Sequence, residues 1–231
     1  IVSDLHESGI METIESIHSL NLEADSIVGD VTVFKEAELM IRTVIELHGR
    51  LDILVNSAGV YPQNQLIELK PDDWNQVFST NLRSVFFTTQ RVAQHMRERK
   101  GGVITHISSF AAEIPSANSA CYAASKAALK SLTQSMAGEW APFNIRVNAV
   151  NPGVIQTKMT EQVIENNPDL LKSQIALHRI GDPQEVADAV LFLSSDQASY
   201  ITGESLNVTG GKFIVQNPYV PWNSTEKQSE K

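Results

Sequence analysis

Tyr122 and Lys126 stand four residues apart in the run Tyr122-Ala123-Ala124-Ser125-Lys126, a spacing that puts both side chains on one helix face. A phenol with an ordinary pKa near 10 is a poor acid–base group at neutral pH unless its anion is favoured. An ammonium one turn away favours that anion by opposite charge. Thirteen residues upstream of the tyrosine, Ser109 closes a run, Val103–Ser109, that reads as a strand. A hydroxyl at that strand's end and a phenol near the start of the next helix can converge on one oxygen atom. Such a pair polarises a carbonyl and moves a proton. Taken alone, Tyr-x-x-x-Lys is more often a surface helix pair, so the surrounding elements have to carry the argument.

Those elements alternate between two periods. Ile1–Asp4 reads as the end of a buried strand, and Ile10, Met11, Ile14, Ile17 and Leu20 then recur at helical spacing. Ser26–Val31 is a short strand, Phe34–His48 a helix stopped by Gly49, and Leu51–Val55 a continuous apolar run covered on both faces. Pro71–Met96 reads as one long helix, followed by the strand Val103–Ser109, the helix Ser119–Trp140 and the strand Ile145–Val150. Asp182-Pro183-Gln184-Glu185 starts the helix Gln184–Ser194 with an N-cap acid, a first-turn proline and an acid three residues on. A last strand, Ser205–Val208, ends at Gly210-Gly211. This alternation predicts an α/β fold with a doubly wound parallel sheet in three α/β/α layers. It forms a single domain over 1–215 with a tail at 216–231. Val154–Ile180 breaks the rhythm after a strand's carboxyl end, where a substrate lid belongs. Short helices are expected there at Glu161–Asn166 and Leu170–Leu177.

Composition narrows the function classes. The 231 residues carry 42% hydrophobic and 19% charged side chains and a net charge of −9. A chain of this size closes a core without a metal or disulfide, and the acidic balance argues against nucleic-acid or anionic-membrane partners. No apolar run reaches the ~20 residues that span a bilayer. The 6 histidines show no ligand spacing, so no metal is expected, and His106 reads as a strand residue bonded locally. The one cysteine, Cys121, cannot form an internal disulfide; it fits a reducing, cytoplasmic setting and reads as a small buried apolar residue. Asn207-Val208-Thr209 and Asn223-Ser224-Thr225 match the glycosylation pattern, the first inside an expected strand.

Further motifs accompany the tyrosine: Asn56-Ser57-Ala58-Gly59 after the Leu51–Val55 strand, Asn81 in the long helix, and Asn148-Ala149-Val150-Asn151-Pro152-Gly153 followed by Thr157. With them the chain resembles the short-chain dehydrogenase/reductase family from Ile1 to about Phe213. The resemblance implies a Rossmann-like fold and an NAD(P)-dependent oxidoreductase that interconverts a secondary alcohol and a ketone. It implies roles residue by residue. Tyr122 is the proton donor or acceptor, Lys126 lowers its pKa and binds the nicotinamide ribose, and Ser109 orients the substrate. Asn81 holds a relay water, although a helix-packing hydrogen bond is its plainer role. Asn56, Ala58 and Gly59 let the cofactor's adenosine half approach backbone, and Asp30 and Val31 lie against the adenine. Pro152, Gly153, Ile155 and Thr157 grip the carboxamide. Asp4, ending a strand, favours NAD over NADP because an acid bonds ribose hydroxyls and repels a 2′-phosphate. A homotetramer or homodimer assembled through the two long helices is implied as well.

The chain departs from the family at its start. A full member opens with a strand and the turn Thr-Gly-x-x-x-Gly-x-Gly, which seats the pyrophosphate at a helix N-terminus; no such turn follows a strand here. Since that strand lies at the sheet's centre, the expectation is an N-terminally truncated fold whose flanking strand edges lack a partner. The alternative to an enzyme is a family member with impaired cofactor binding that acts as a non-catalytic oligomerisation protein. Glu113, in the Ala111–Ala117 loop of the pocket, reads as a carboxylate facing solvent.

Overall fold

Short branched runs become strands and the helical stripes between them return the chain to the same edge, so every strand pair is parallel. The computed structural model describes residues 1–222; residues 223–231 of the expected tail, Asn223-Ser224-Thr225 among them, lie outside the described residues. In chain order the elements are β1 (Val2–Asp4), α1 (Glu7–Ser19), β2 (Ser26–Val28), α2 (Phe34–His48), β3 (Ile53–Asn56), α3 (Pro71–Phe78) and α4 (Ser84–Glu98). They continue with β4 (Gly102–Ile107), α5 (Ala120–Trp140), β5 (Ile145–Pro152), α6 (Glu161–Asn166), α7 (Pro168–Ser173), α8 (Pro183–Ser194) and β6 (Ser205–Val208).

The doubly wound sheet is present in two pieces. Strands β3, β4, β5 and β6 hydrogen-bond in that order, while β1 and β2 pair separately. Ile53 stands opposite Val103, Gly102 opposite Ile145, and Ala149 opposite Ser205. Between the two pieces runs a cleft of about 1410 Å³, lined among others by Ile27, Met40, Leu54, Val85 and Val92. Neither β1 nor β3 has a strand partner on that side. The halves are joined above the cleft by helices: Phe34 of α2 meets Phe87 of α4 edge to face at 5.6 Å, and Arg91 of α4 pairs with Glu38 of α2.

The core lies under the larger piece. Val92, Ala93 and Met96 of α4 and Met136 and Ala137 of α5 pack on Ile104, Ile145 and Val147. Each large side chain buried this way contributes about 1.5–3 kcal/mol. Alternate β5 residues point to the other face, where Arg146 and Asn148 donate to the Ile201 carbonyl at 3.1 and 3.0 Å beyond α8. The start of α8 is as expected: Asp182 caps Gln184 N–H at 2.8 Å and Glu185 returns the bond to Asp182 N–H at 2.8 Å.

Two expectations are corrected. The long helix after Pro71 is not uniform: Ser79–Arg83 forms a π-helical turn between α3 and α4. The wider turn lets a polar residue at its centre turn inward without breaking the helix, a device common at functional sites. The second lid helix ends at Ser173 rather than running to Leu177, because Ile175 leaves the helix to become fully buried against the turn after β6.

Candidate functional site

The carboxyl ends of β3, β4 and β5 and the first turns of α5 bring the chemistry together. Strand β4 delivers Ser109, whose hydroxyl caps the turn Phe110–Ala112 by accepting the Ala111 N–H at 3.1 Å. That turn fixes the serine rotamer. The buried hydroxyl also faces the Tyr122 phenol closely enough to favour its anion.

Burial pushes the Tyr122 phenol above its ordinary value; the Ser109 hydroxyl opposes this and Tyr61 adds to it. Lys126 Nζ sits 5.7 Å from the Tyr122 ring centroid and donates to the Ile107 carbonyl at 2.8 Å. Burial lowers the Lys126 pKa to about 8, so the group is still mostly ammonium at neutral pH. The resting site therefore pairs a neutral phenol with a buried cation that has two further N–H groups to give.

Asn81 occupies the centre of the π turn and is fully buried. Its Oδ1 accepts the Val60 N–H at 2.8 Å, and its Nδ2 donates to the Val60 carbonyl at 3.0 Å and to Ser125 Oγ at 3.3 Å. Ser125 in turn donates to the Tyr122 carbonyl at 2.7 Å. Asn81 thus pins the loop after Gly59 to the helix that carries Tyr122 and Lys126. A Cβ on Gly59 would lie 3.4 Å from Asn81 Oδ1 and 3.8 Å from Lys126 Nζ, so the loop passes close over both.

Six further expected residues gather elsewhere on the same edge. Asp4, Asp30, Val31, Asn56, Ala58 and Gly59 all line the cleft between the two sheet pieces. One Asp4 oxygen accepts the His6 N–H at 2.8 Å. Asp30 is committed to its own turn, accepting from Thr32 N–H and Oγ1 at 2.8 and 2.7 Å. Asn56 points inward: its Nδ2 donates to Thr89 Oγ1 at 3.0 Å and meets His106 Nδ1 at 3.1 Å. Burial, with Lys126 adding to it, drives the His106 pKa down to about 3. A neutral ring accepting at Nδ1 carries its proton on Nε2, so His106 serves to hold Asn56, the local bonding expected of it.

The third group begins the insertion. Pro152 ends β5, and Gly153 donates its N–H to Val208 at 2.9 Å while its α-carbon lies where a Cβ would meet Thr209 Cα at 2.8 Å. Ile155 is buried and bridges Gly181, its carbonyl accepting the Thr160 hydroxyl. Thr157 is exposed and its hydroxyl meets that of Thr160 at 3.0 Å.

Three features escape sequence reasoning. The Tyr61 ring packs edge-on against Tyr122 with centroids 4.7 Å apart; its only signal is its place two residues after Gly59. Lys212, buried in the turn after β6, carries no motif at all. Glu113 faces solvent as expected, but its ion pair with Lys130 at 2.9 Å carries no sequence signal. Cys121 is buried, and burial pushes its thiol up, the inert condition expected. Among the described residues no cluster of His, Cys, Asp and Glu could hold a metal ion, and no helix is long and apolar enough to cross a membrane.

Residues 1–212 match the profile of a protein family described as enoyl-(acyl carrier protein) reductase. The 3-oxoacyl-[acyl-carrier-protein] reductase FabG of Thermotoga maritima is 37% identical over 214 residues, covering 93% of this chain and 87% of that protein. The crystal structure of a gluconate 5-dehydrogenase from Burkholderia cenocepacia, in complex with NADP and tartrate, superposes with a TM-score of 0.88. It is 30% identical, over 93% of this chain and 85% of that one. A 7α-hydroxysteroid dehydrogenase complexed with NADH and 7-oxo glycochenodeoxycholic acid gives a TM-score of 0.87 at 35% identity, over 91% and 83% of the two chains.

Proposed function

The chain belongs to the short-chain dehydrogenase/reductase family, and from that premise we propose that it is a nicotinamide-dependent oxidoreductase interconverting a secondary alcohol and a ketone of small-molecule size. The observation that carries this reading is the buried Ser109 hydroxyl acting on the Tyr122 phenol beside the buried Lys126 ammonium.

The residues present suit a dinucleotide at its two ends. Lys126 has two N–H groups beyond its bond to Ile107, enough for ribose hydroxyls. Gly59 passes close over Asn81 and Lys126, where a ligand's backbone contact would fall beside the lysine, and Gly153 lets β5 end tightly against Thr209. The Ile155 bridge uses the Val154 carbonyl and Gln156 N–H, not the Ile155 N–H, which stays available for a carboxamide. Asp4 has one oxygen beyond its bond to His6 for an adenosine ribose, the basis for preferring NAD to NADP; Asp30 and Val31 flank that end. None of the described residues forms a glycine-rich seat for the diphosphate. When bound, the nicotinamide supplies or accepts the hydride.

The chain's own groups handle the proton. In reduction, Ser109 donates to the substrate carbonyl oxygen and the neutral Tyr122 phenol gives that oxygen its proton as charge develops. In oxidation, Tyr122 as phenolate takes the hydroxyl proton, and the Lys126 ammonium favours that anion. Asn81 keeps the Val60 loop and the α5 turn in register, and Tyr61 limits how the Tyr122 ring can tilt.

A homotetramer or homodimer built on α3–α4 and α5 and a cytoplasmic setting complete the reading. Light scattering that shows a clean monomer would remove the first. The direct test is NAD(H) and NADP(H) turnover with a panel of secondary alcohols and ketones; turnover of none of them overturns the enzymatic reading. The alternative is a non-catalytic oligomerising protein. Titration with NADH, followed by its fluorescence, separates the two: saturable binding supports the enzyme and its absence the alternative.

A further inference from the structure

The insertion between β5 and α8 is held at two places. Its base is closed by the Ile155–Gly181 bridge, with Gln156 N–H on the Gly181 carbonyl at 2.9 Å and Gly181 N–H on Val154 at 3.0 Å. Its far arm, residues 174–178, docks on the turn after β6. Ile175 is 1% exposed, Leu177 donates its N–H to the Gly210 carbonyl at 3.0 Å, and Trp222 Nε1 donates to the Ala176 carbonyl at 3.0 Å. Gly210, at φ +61°, has no Cβ to collide with Ile175.

One charge lies in this otherwise apolar joint. Lys212 is 6% exposed, its Nζ donates to Gln174 Oε1 at 2.8 Å, and it stands 4.3 Å from the Phe213 ring centroid and 5.7 Å from that of Phe110. The two rings are themselves 5.7 Å apart. Among the described residues no carboxylate pairs with Lys212. Burial holds its pKa down at about 8. An ammonium without a counter-ion is a costly filler for an apolar joint, where methionine of similar length would pack at no charge cost. What the lysine adds is a directed donor and a cation between two aromatic faces. Those contacts reach two separate segments at once, the insertion through Gln174 and the turn immediately after Ser109 through Phe110, with the neighbouring Phe213 ring closing the other side.

We propose that Lys212 is a positioning residue for the reaction: clamped by Phe110 and Phe213 and bonded to Gln174, it ties the insertion to the turn that fixes the Ser109 hydroxyl. The insertion and the substrate-orienting serine are then held in one arrangement. The proposal rests on the reading of Ser109, Tyr122 and Lys126 as a catalytic site.

The test compares wild type, Lys212→Met and Lys212→Arg by backbone hydrogen exchange and by steady-state kinetics on any ketone or alcohol the wild type turns over. In Lys212→Met, exchange of the amides of 161–177 and 110–112 should rise about tenfold, the scale of one hydrogen bond from a charged donor. Exchange in β4 and β5 should not change. KM should rise several-fold with kcat nearly constant, and Lys212→Arg, which keeps charge and donors, should restore both. Unchanged exchange in 161–177 overturns the proposal. So does a uniform rise across the whole chain, which marks a merely structural residue. If the wild type turns over no substrate, the reaction reading fails by itself, and local exchange still decides whether Lys212 makes the tie.

Discussion

Replacing Lys126 by methionine should change how stability depends on pH, by an amount the structure sets. The lysine is 5% exposed and burial lowers its pKa from 10.5 to about 8. The unfolded chain therefore holds the proton over a range where the folded chain has released it. Where the unfolded state binds more protons, stability rises with pH. The Lys126 penalty is thus full below about pH 8 and is progressively relieved up to about pH 10.5. Between pH 7 and pH 10 the relief amounts to about 2.5 kcal/mol for a single lysine with these two values. Lys126→Met has no such group. Its stability relative to wild type should fall by that amount across the interval, whatever the offset at pH 7. The offset itself mixes relief of desolvation with the loss of the bond to the Ile107 carbonyl, which costs about 1–3 kcal/mol when a buried acceptor is orphaned.

Urea denaturation of both proteins at half-unit steps from pH 7 to pH 10 measures the difference. With a slope near 3 kcal/mol/M, the midpoint of the variant should lose slightly under 1 M relative to wild type. Lys212, also at about 8, titrates in the same window but is present in both proteins and cancels. Parallel curves for the two proteins would refute the reasoning, because they would mean that Lys126 is solvated in the folded state. A lysine that costs the fold stability at neutral pH is kept for what it does to a neighbour or a ligand.

Other substitutions address the remaining parts of the site. Tyr122→Phe should lower turnover by about a thousandfold or more while NADH binding, followed by fluorescence, stays within a few-fold; loss of binding would show that the phenol is not the proton-transfer group. Asn81→Ala strips two partners from the Val60 backbone and should lower Tm by roughly 5–12 °C, and a negligible shift in a thermal melt would remove its pinning role. Gly153→Ala drives a Cβ to 2.8 Å from Thr209 Cα and should cost about 1–3 kcal/mol by urea denaturation; a neutral result would mean that β5 and β6 part easily at their ends.

What the sequence could disclose divides along contact distance. Ser109, Tyr122 and Lys126 were legible because a strand end and a helical i, i+4 spacing dictate where they point, and the parallel sheet followed from alternation. The π turn at Ser79–Arg83 was not, since its cause is the inward pull of Val60 on Asn81 from 21 residues away. The burial of the Tyr122 phenol was not legible for a related reason. A four-residue spacing announces the attraction of a nearby ammonium, but the burial that outweighs it comes from Tyr61 and the packed loop above.

The two buried lysines make the distinction sharper. Burial brings Lys126 and Lys212 to about the same pKa, so the fold treats them as physically equivalent cations. Lys126 announces itself because Tyr122 is one helical turn away. Lys212 meets Gln174 across 38 residues and Phe110 from the end of a strand two places away in the sheet, and no local pattern encodes such a meeting. A buried, counter-ion-free lysine beside a reacting strand end is for that reason a more informative sign of function in the folded chain than any spacing rule applied to the sequence.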